Sequence, residues 1–200
     1  MSLPEVPPAL EAEHTRLEPL AEAHRADLSA VAFDPRLWRW TPTQIHTPAD
    51  LDAYIHTARA ELANGTTLPF AILDRSTGRA IGSTRLGHID LDHRRAEIGW
   101  SWLGRAYQRR AFNTEAKLLL LRYAFEDLNC MRVEIRADRL NQPSRTAIER
   151  LGAVEEGTLR QHMILPDGRR VDWVYYSILR DEWPDVEAGL TEKLARYAGG

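Results

Sequence analysis

Cysteine is nearly missing. A single one, Cys130, stands among 200 residues, which excludes an internal disulfide framework and any cysteine-rich metal site. A reducing compartment, the cytoplasm, is the expected address. Lysine is almost as scarce: Lys117 and Lys193 are the only two among 26 basic residues. No run approaches the length of apolar sequence that a membrane-spanning helix needs. The opening MSLPEVPPALEAEH has neither the positive start nor the apolar core of a signal peptide. Net charge is small, −3, so nothing global draws the chain to nucleic acid or to anionic lipid, and a polyanionic partner has to be held by a local patch. The seven histidines show no H-E-x-x-H or other ligand spacing, and no metal is expected.

What is present is an ordinary globular composition, 44% apolar and 28% charged, in a length that suits one sizeable core. Residues 1–12 read as an extended tail and 13–200 as a single domain. Periodicity predicts a strand at 15–20, helices at 21–31 and 47–62, and strands at 68–73, 80–91 and 96–103. A helix at 113–128 follows, then a strand at 131–137, a helix at 143–151, and strands at 154–165 and 171–179 around the turn Pro166-Asp167-Gly168-Arg169. An amphipathic segment at 181–197 closes the chain. Gly152 stands where a left-handed helix cap belongs. This order specifies an α/β (α+β) fold, a mixed sheet with helices, in which strands 96–103 and 131–137 are parallel neighbours joined by a helical crossover.

Chemistry concentrates in Glu97-Ile98-Gly99-Trp100-Ser101-Trp102-Leu103-Gly104-Arg105-Ala106-Tyr107-Gln108-Arg109-Arg110-Ala111-Phe112-Asn113-Thr114-Glu115-Ala116. It runs from a strand end through a basic loop into a helix start, where free backbone N–H groups and the helix dipole make an anion site. Residues 105–150 hold ten basic side chains against six acidic ones, a local excess of positive charge in a negative chain. Further on, Asn141-Gln142-Pro143-Ser144 opens a helix for a physical reason, since Pro143 fits its first turn and restricts Gln142 to extended angles. The bland alternatives are a capped helix with solvated arginines and, for Asn141 and Ser144, capping alone.

These stretches together resemble the GNAT acetyltransferases, in particular the RimJ/RimL-like branch. Gln108-Arg109-Arg110-Ala111-Phe112-Asn113 falls on the family loop Gln/Arg-x-x-Gly-x-Gly/Ala, with Ala111 and Asn113 departing from it. Asn141 to Ser144, with Leu151-Gly152-Ala153, resembles the family's N-x-x-S helix and its Leu-Gly-Phe end. Glu155 to Arg160 and Val171 to Leu179 resemble its terminal hairpin. The resemblance implies a twisted sheet of six to seven strands, with a splay between two parallel central strands. It implies transfer of an acetyl group from acetyl-coenzyme A to a primary amine, a protein N-terminus or a small molecule, by direct attack in a ternary complex without metal. Trp102, Leu103, Gln108, Arg109, Arg110, Ala111, Phe112, Asn113, Thr114, Asn141 and Ser144 then hold the cofactor.

By the same resemblance Glu97 is the base and Ser144 the acid, with Tyr107 and Tyr176 open as alternative acids and a structural carboxylate as the alternative for Glu97. Trp38 and Trp40 serve a substrate pocket, core packing or dimer packing. No nucleic acid or membrane partner is implied, and a homodimer is compatible with the reading. A positive φ at position 111 would strain alanine and favour a different function, a coenzyme A-binding sensor without turnover. An RNA-binding accessory protein using Arg105, Arg109 and Arg110 is the third class.

Overall fold

The computed structural model describes residues 3–198, so Met1 and Ser2 of the expected tail and Gly199 and Gly200 of the expected domain lie outside the described residues. In chain order the elements are β1 (Leu10–Glu11), β2 (Thr15–Pro19), α1 (Arg25–Ala32), α2 (Pro48–Ala63), β3 (Leu68–Asp74), β4 (Arg79–Asp90) and β5 (Arg95–Leu103). Then come α3 (Ala111–Arg122), β6 (Arg132–Asp138), α4 (Gln142–Glu149), β7 (Val154–Ile164), β8 (Arg170–Leu179) and α5 (Trp183–Ala198). The strands form one eight-stranded sheet in the order β1-β2-β3-β4-β5-β6-β8-β7. Among them β5 and β6 pair in parallel, as the crossover through α3 requires. One strand more than the expected six to seven arises because Leu10 and Glu11 pair with Leu17 and Arg16.

Local chemistry accounts for the helix ends. Thr47 Oγ1 accepts from the Asp50 N–H and the Asp50 carboxylate accepts from the Thr47 N–H, a capping box ahead of Pro48. Gly152 ends the α4 region at φ 96°, the left-handed cap that the sequence specified. α3 is buried on nearly every side, Leu118 to Leu121 included, because one face lies on the sheet and the other is covered by α5. It does not run unbroken to 128. After Arg122 the backbone widens into a π turn at Tyr123–Asp127, whose Leu128 N–H reaches the Tyr123 carbonyl at 3.0 Å.

The sheet separates two apolar layers. Ala96, Ile98 and Leu103 of β5 and Val133, Ile135 and Ala137 of β6 join Phe112, Leu119, Ile148 and Trp183 on the face carrying α3, α4 and α5. On the opposite face Trp102 meets Trp38, Tyr54 and Leu51 beneath α1 and α2. Alternation along β6 therefore sends Arg132, Glu134 and Arg136 away from α3. Met131, expected as the first residue of this strand, precedes it and is 50% exposed. The outer strand β7 is solvent-exposed almost throughout and is broken between Leu159 and Met163 by a bulge with Gln161 at φ 50°. Among the described residues no helix is long and apolar enough to cross a membrane.

Candidate active site

The sheet opens in its middle. β5 and β6 pair through Arg95–Arg132, Ala96–Val133 and Glu97–Glu134, and there the pairing stops. β5 then stays with β4 as far as Leu103–Gly82, while β6 stays with β8 as far as Asp138–Trp173. A wedge is left between residues 98–103 and 135–138. Its cause is local: Arg85 faces Gly99 but Ser83 faces Trp102, so β5 carries an extra residue there, and a bulge bends and twists its strand. Trp100 takes up the bend at φ 51°, a region that a bulky side chain seldom enters. Its ring is held by the Arg85 guanidinium at 5.5 Å and by the His88 ring at 5.3 Å. Gly87 makes room for it, since a Cβ there would come within 2.6 Å of the indole.

Below the wedge the chain turns into α3. Gln108 Nε2 donates to the Leu103 carbonyl at 3.0 Å and ties the loop to the strand end. Arg109 takes the left-handed conformation, φ 62°, and Arg110 is the extended N-cap residue with no side chain capping the helix. The N–H groups of Arg110, Ala111, Phe112 and Asn113 thus begin α3 without an intrahelical acceptor. Arg109 and Arg110 are exposed and have no carboxylate within ion-pair distance among the described residues, while Arg105 lies 3.7 Å from Asp34. Ala111 is the first helical residue, buried. The strain feared for alanine therefore falls instead on Arg109, and the argument for a disabled cofactor site at position 111 lapses. Asn113 stands in the first turn and not at the cap, two residues inside the start of a helix that begins earlier than expected. Uncapped amides, the helix dipole and free guanidiniums fit a pyrophosphate. The Trp102 and Leu103 side chains enter the two apolar layers, so the backbone is what these residues offer to the wedge.

Glu97 occupies the last paired rung, with its side chain 5% exposed. Arg136 Nε lies 2.9 Å from Oε1, and His88 Nδ1 shares a 2.9 Å hydrogen bond with Oε2. Both oxygens are engaged by side chains, neither by loop backbone. His88, itself exposed, holds this carboxylate from φ 48°. These groups border a cavity of about 320 Å³ lined by His88, Arg95, Ala96, Glu97, Glu134, Arg136 and Tyr175.

At the other lip of the wedge, Asn141 Oδ1 accepts from the Ser144 N–H at 3.2 Å and caps α4, so the capping role is real for Asn141. Its side-chain amide nitrogen has no protein partner among the described hydrogen bonds, and the Ser144 hydroxyl has none either. The two tyrosines differ. Tyr107 packs edge-on against Phe112 at 5.8 Å. The Tyr176 hydroxyl accepts from Arg145 Nε at 2.9 Å and lies 3.3 Å from both Glu149 and Glu155. Burial is the main cause raising its pKa, and its hydroxyl is committed to Arg145, Glu149 and Glu155. Trp38 is core: it is 1% exposed, its indole N–H donates to the Ala32 carbonyl at 2.8 Å, and its ring meets Trp102 at 5.2 Å. Trp40 is half-buried and capped at 5.1 Å by Arg169 of the β7–β8 hairpin, whose other contact is Asp138 at 2.6 Å.

One group escaped the sequence reading. Lys117 of α3 is buried, and Nζ donates to Ser101 Oγ and lies 3.5 Å from Thr84 Oγ1. Burial alone pushes its pKa from 10.5 down to about 7. Among the described residues no cluster of three His, Cys, Asp or Glu side chains is placed to hold a metal.

Comparison with known proteins agrees with this architecture. The family description Acetyltransferase (GNAT) domain matches residues 14–154. YdaF of Bacillus subtilis (strain 168), provisionally named a ribosomal N-acetyltransferase, is 33% identical over 171 residues, covering 84% of this chain and 90% of YdaF. A solved GCN5-related N-acetyltransferase from Brucella melitensis superposes with a TM-score of 0.85 at 32% identity, covering 94% of this chain and 85% of that one. RimJ of Mycobacterium smegmatis, solved in complex with CoA-disulfide, shares the fold with a TM-score of 0.84 at 24% identity, covering 96% and 97% of the two chains. The chain therefore belongs to the GNAT acetyltransferase family, in its RimJ/RimL-like branch, and is an acetyl-coenzyme A-dependent acyltransferase.

Proposed function

We propose that this protein is an N-acetyltransferase acting on a primary amine, a protein N-terminus or a small molecule, with the amine attacking directly in a ternary complex. The observation that carries the reading is the wedge between β5 and β6, which opens directly above the uncapped start of α3. Acetyl-coenzyme A, when bound, supplies an activated acetyl group on sulfur. The amides of Arg110 to Asn113, with Thr114 behind them, receive the pyrophosphate, and Arg109 and Arg110 add charge. Gln108 keeps the loop closed on Leu103. The edge of β5 at Trp102 and Leu103 that β6 leaves uncovered lines the wedge on one side, and Asn141 offers its free amide nitrogen on the other. CoA-disulfide in the related RimJ fold supports this placement.

The cavity beside Glu97 is the acceptor site in this reading. Glu97 takes the amine's proton, directly or through water, and His88 and Arg136 hold the carboxylate in place for it. Ser144 faces the opposite lip as a proton donor. A cytoplasmic address and a homodimer belong to the same reading, with Val154, Leu159 and Ile164, exposed along β7, as the surface for a second copy. The test joins calorimetric titration with acetyl-coenzyme A to an assay of thiol release across a panel of amines. Binding with amine-dependent release is the expected result. Binding without release from any amine refutes transfer, and no binding at high concentration refutes the site.

A further inference from the structure

Ser101 is exposed although it lies in a central strand. It stands one residue past the left-handed Trp100, on the part of β5 that β6 no longer covers. Its hydroxyl lies 2.7 Å from Thr84 Oγ1 and 3.2 Å from the Gly99 carbonyl, and it accepts from Lys117 Nζ. Behind an exposed hydroxyl in the wedge there is thus a buried amine whose partners, Ser101 and Thr84, are hydroxyls.

We propose that Ser101 and Lys117 form the proton-donating side of the transfer reaction, with Ser101 Oγ giving its proton to the departing sulfur and Lys117 Nζ replacing it. The proposal rests on the acetyl-transfer reading above. The faces of the sheet support it. Ser101 turns toward α3, where Lys117 is rooted, whereas Glu97 turns with Arg136 to the opposite face. One proton is then taken from the amine on one side of the wedge while another is delivered on the other side.

The balance closes. The amine nitrogen forms a bond to the acetyl carbon and the carbon–sulfur bond breaks, its electron pair staying on sulfur. Ser101 Oγ supplies that sulfur with a proton and takes one from Lys117 Nζ, leaving a neutral lysine. The proton lost by the amine passes through Glu97 to solvent, and Lys117 is recharged from solvent through Ser101.

A donor works best when its pKa lies near the working pH, and burial brings Lys117 there, to about 7. The charged groups of the surrounding elements are committed elsewhere: Glu115 of α3 to His14, Arg85 of β4 to Glu61, and Glu97 of β5 to Arg136 and His88. No carboxylate therefore fixes Lys117 as a permanent ammonium. Ser101 thereby takes over the donor's part given above to Ser144, whose hydroxyl has no buried proton source among its described hydrogen bonds.

The experiment compares the full chain with Lys117→Met, Ser101→Ala and the double variant, using acetyl-coenzyme A and a short peptide with a free α-amine. Methionine suits the buried site and Ser101 is exposed, so each single variant folds. Each should lower kcat by roughly 100-fold, within the range of proton-transfer contributions, with an unchanged calorimetric Kd for acetyl-coenzyme A. The double variant should be no slower than either single one. The parent's kcat should fall at alkaline pH as Lys117 loses its proton, and that fall should vanish in Lys117→Met.

A second readout needs no turnover. Because the sequence holds two lysines, ¹³C-lysine labelling gives a signal from Lys117 beside a surface control from Lys193. Lys117 should titrate near neutrality, with a midpoint that moves in Ser101→Ala. Full kcat in Ser101→Ala, or a Lys117 that titrates together with Lys193, overturns the relay while leaving acetyl transfer intact. Absence of thiol release by the parent with every amine overturns the transfer reading, and the relay with it.

Discussion

Lys117→Met should stabilise the fold, by an amount that depends on pH in a defined way. In the unfolded chain Lys117 titrates at its ordinary 10.5, and in the fold at about 7. Between those values the unfolded chain holds a proton that the native state has shed, so native stability rises with pH by about 1.4 kcal/mol per unit. Below about 7 both states are protonated and the full burden of the buried ammonium is present. Above 10.5 both are neutral and it is gone. The separation of the two values corresponds to about 5 kcal/mol at most, and the side chain is buried enough that solvent screening does not reduce it.

Methionine carries no proton, so the variant should be more stable by several kcal/mol near pH 6.5, and its advantage should shrink steadily toward about pH 9.5. Cys130, whose pKa burial pushes up to about 11, also titrates in the upper part of this range, but it does so in both proteins and cancels in the difference. Urea denaturation of the two proteins across this range reads the difference directly. Parallel stability curves would refute the reasoning, because they would mean that Lys117 keeps the same charge in the native and unfolded states throughout.

Glu97→Gln should cut turnover of a strongly basic amine by roughly 10²–10⁴-fold at neutral pH, with a loss that shrinks at alkaline pH where the amine is already free. A rate ratio that is flat with pH, together with a lower Tm, would instead make Glu97 the anchor of Arg136 and His88. Asn141→Ser keeps a good helix cap and should leave the Tm unchanged while weakening acetyl-coenzyme A binding, whereas Asn141→Ala also loses about 1 kcal/mol of stability. Equal calorimetric affinity in both variants would confine Asn141 to capping. Arg109→Gly should raise stability by about 1 kcal/mol by relieving a left-handed arginine, yet weaken acetyl-coenzyme A binding through the lost cation. Melting curves with and without ligand separate the two effects.

Much of the architecture was legible because it is written locally. The alternation of Val133, Ile135 and Ala137, the apolar wealth of 113–128 and the punctuation by Gly152 and Pro143 each specify their element without reference to anything distant. The loop at 104–114 was legible as a basic stretch leading into a helix start for the same reason. What escaped depends on partners far along the chain. Glu97 is held by residues nine and thirty-nine positions away, and no spacing rule announces such a clamp. Ala111 looked suspect because the sequence does not say which loop residue turns left-handed; the backbone put that turn at Arg109. Lys117 entered the sequence reading only as a scarce residue type, since only the packing of α3 against β4 and β5 decides that this charged position faces inward. Leu10 and Glu11 were taken for tail because two residues that pair through their backbone carry no periodicity.

The wedge leaves the molecule with four strand edges where an unbroken sheet has two. The outer pair is guarded, by brevity at β1 and by a bulge and charged side chains along β7, the usual defences against stray pairing. The inner pair, along 98–103 and 135–138, carries one bulge, between Gly99 and Trp102 of β5, and is otherwise left open where the β5–β6 pairing stops. An extended chain with well-spaced amides can therefore lie there as a missing strand. If this seam receives the long amide arm of coenzyme A, as proposed above, it is equally open to peptidic competitors, and an inhibitor built as a short β-strand mimic would need to imitate no part of the nucleotide.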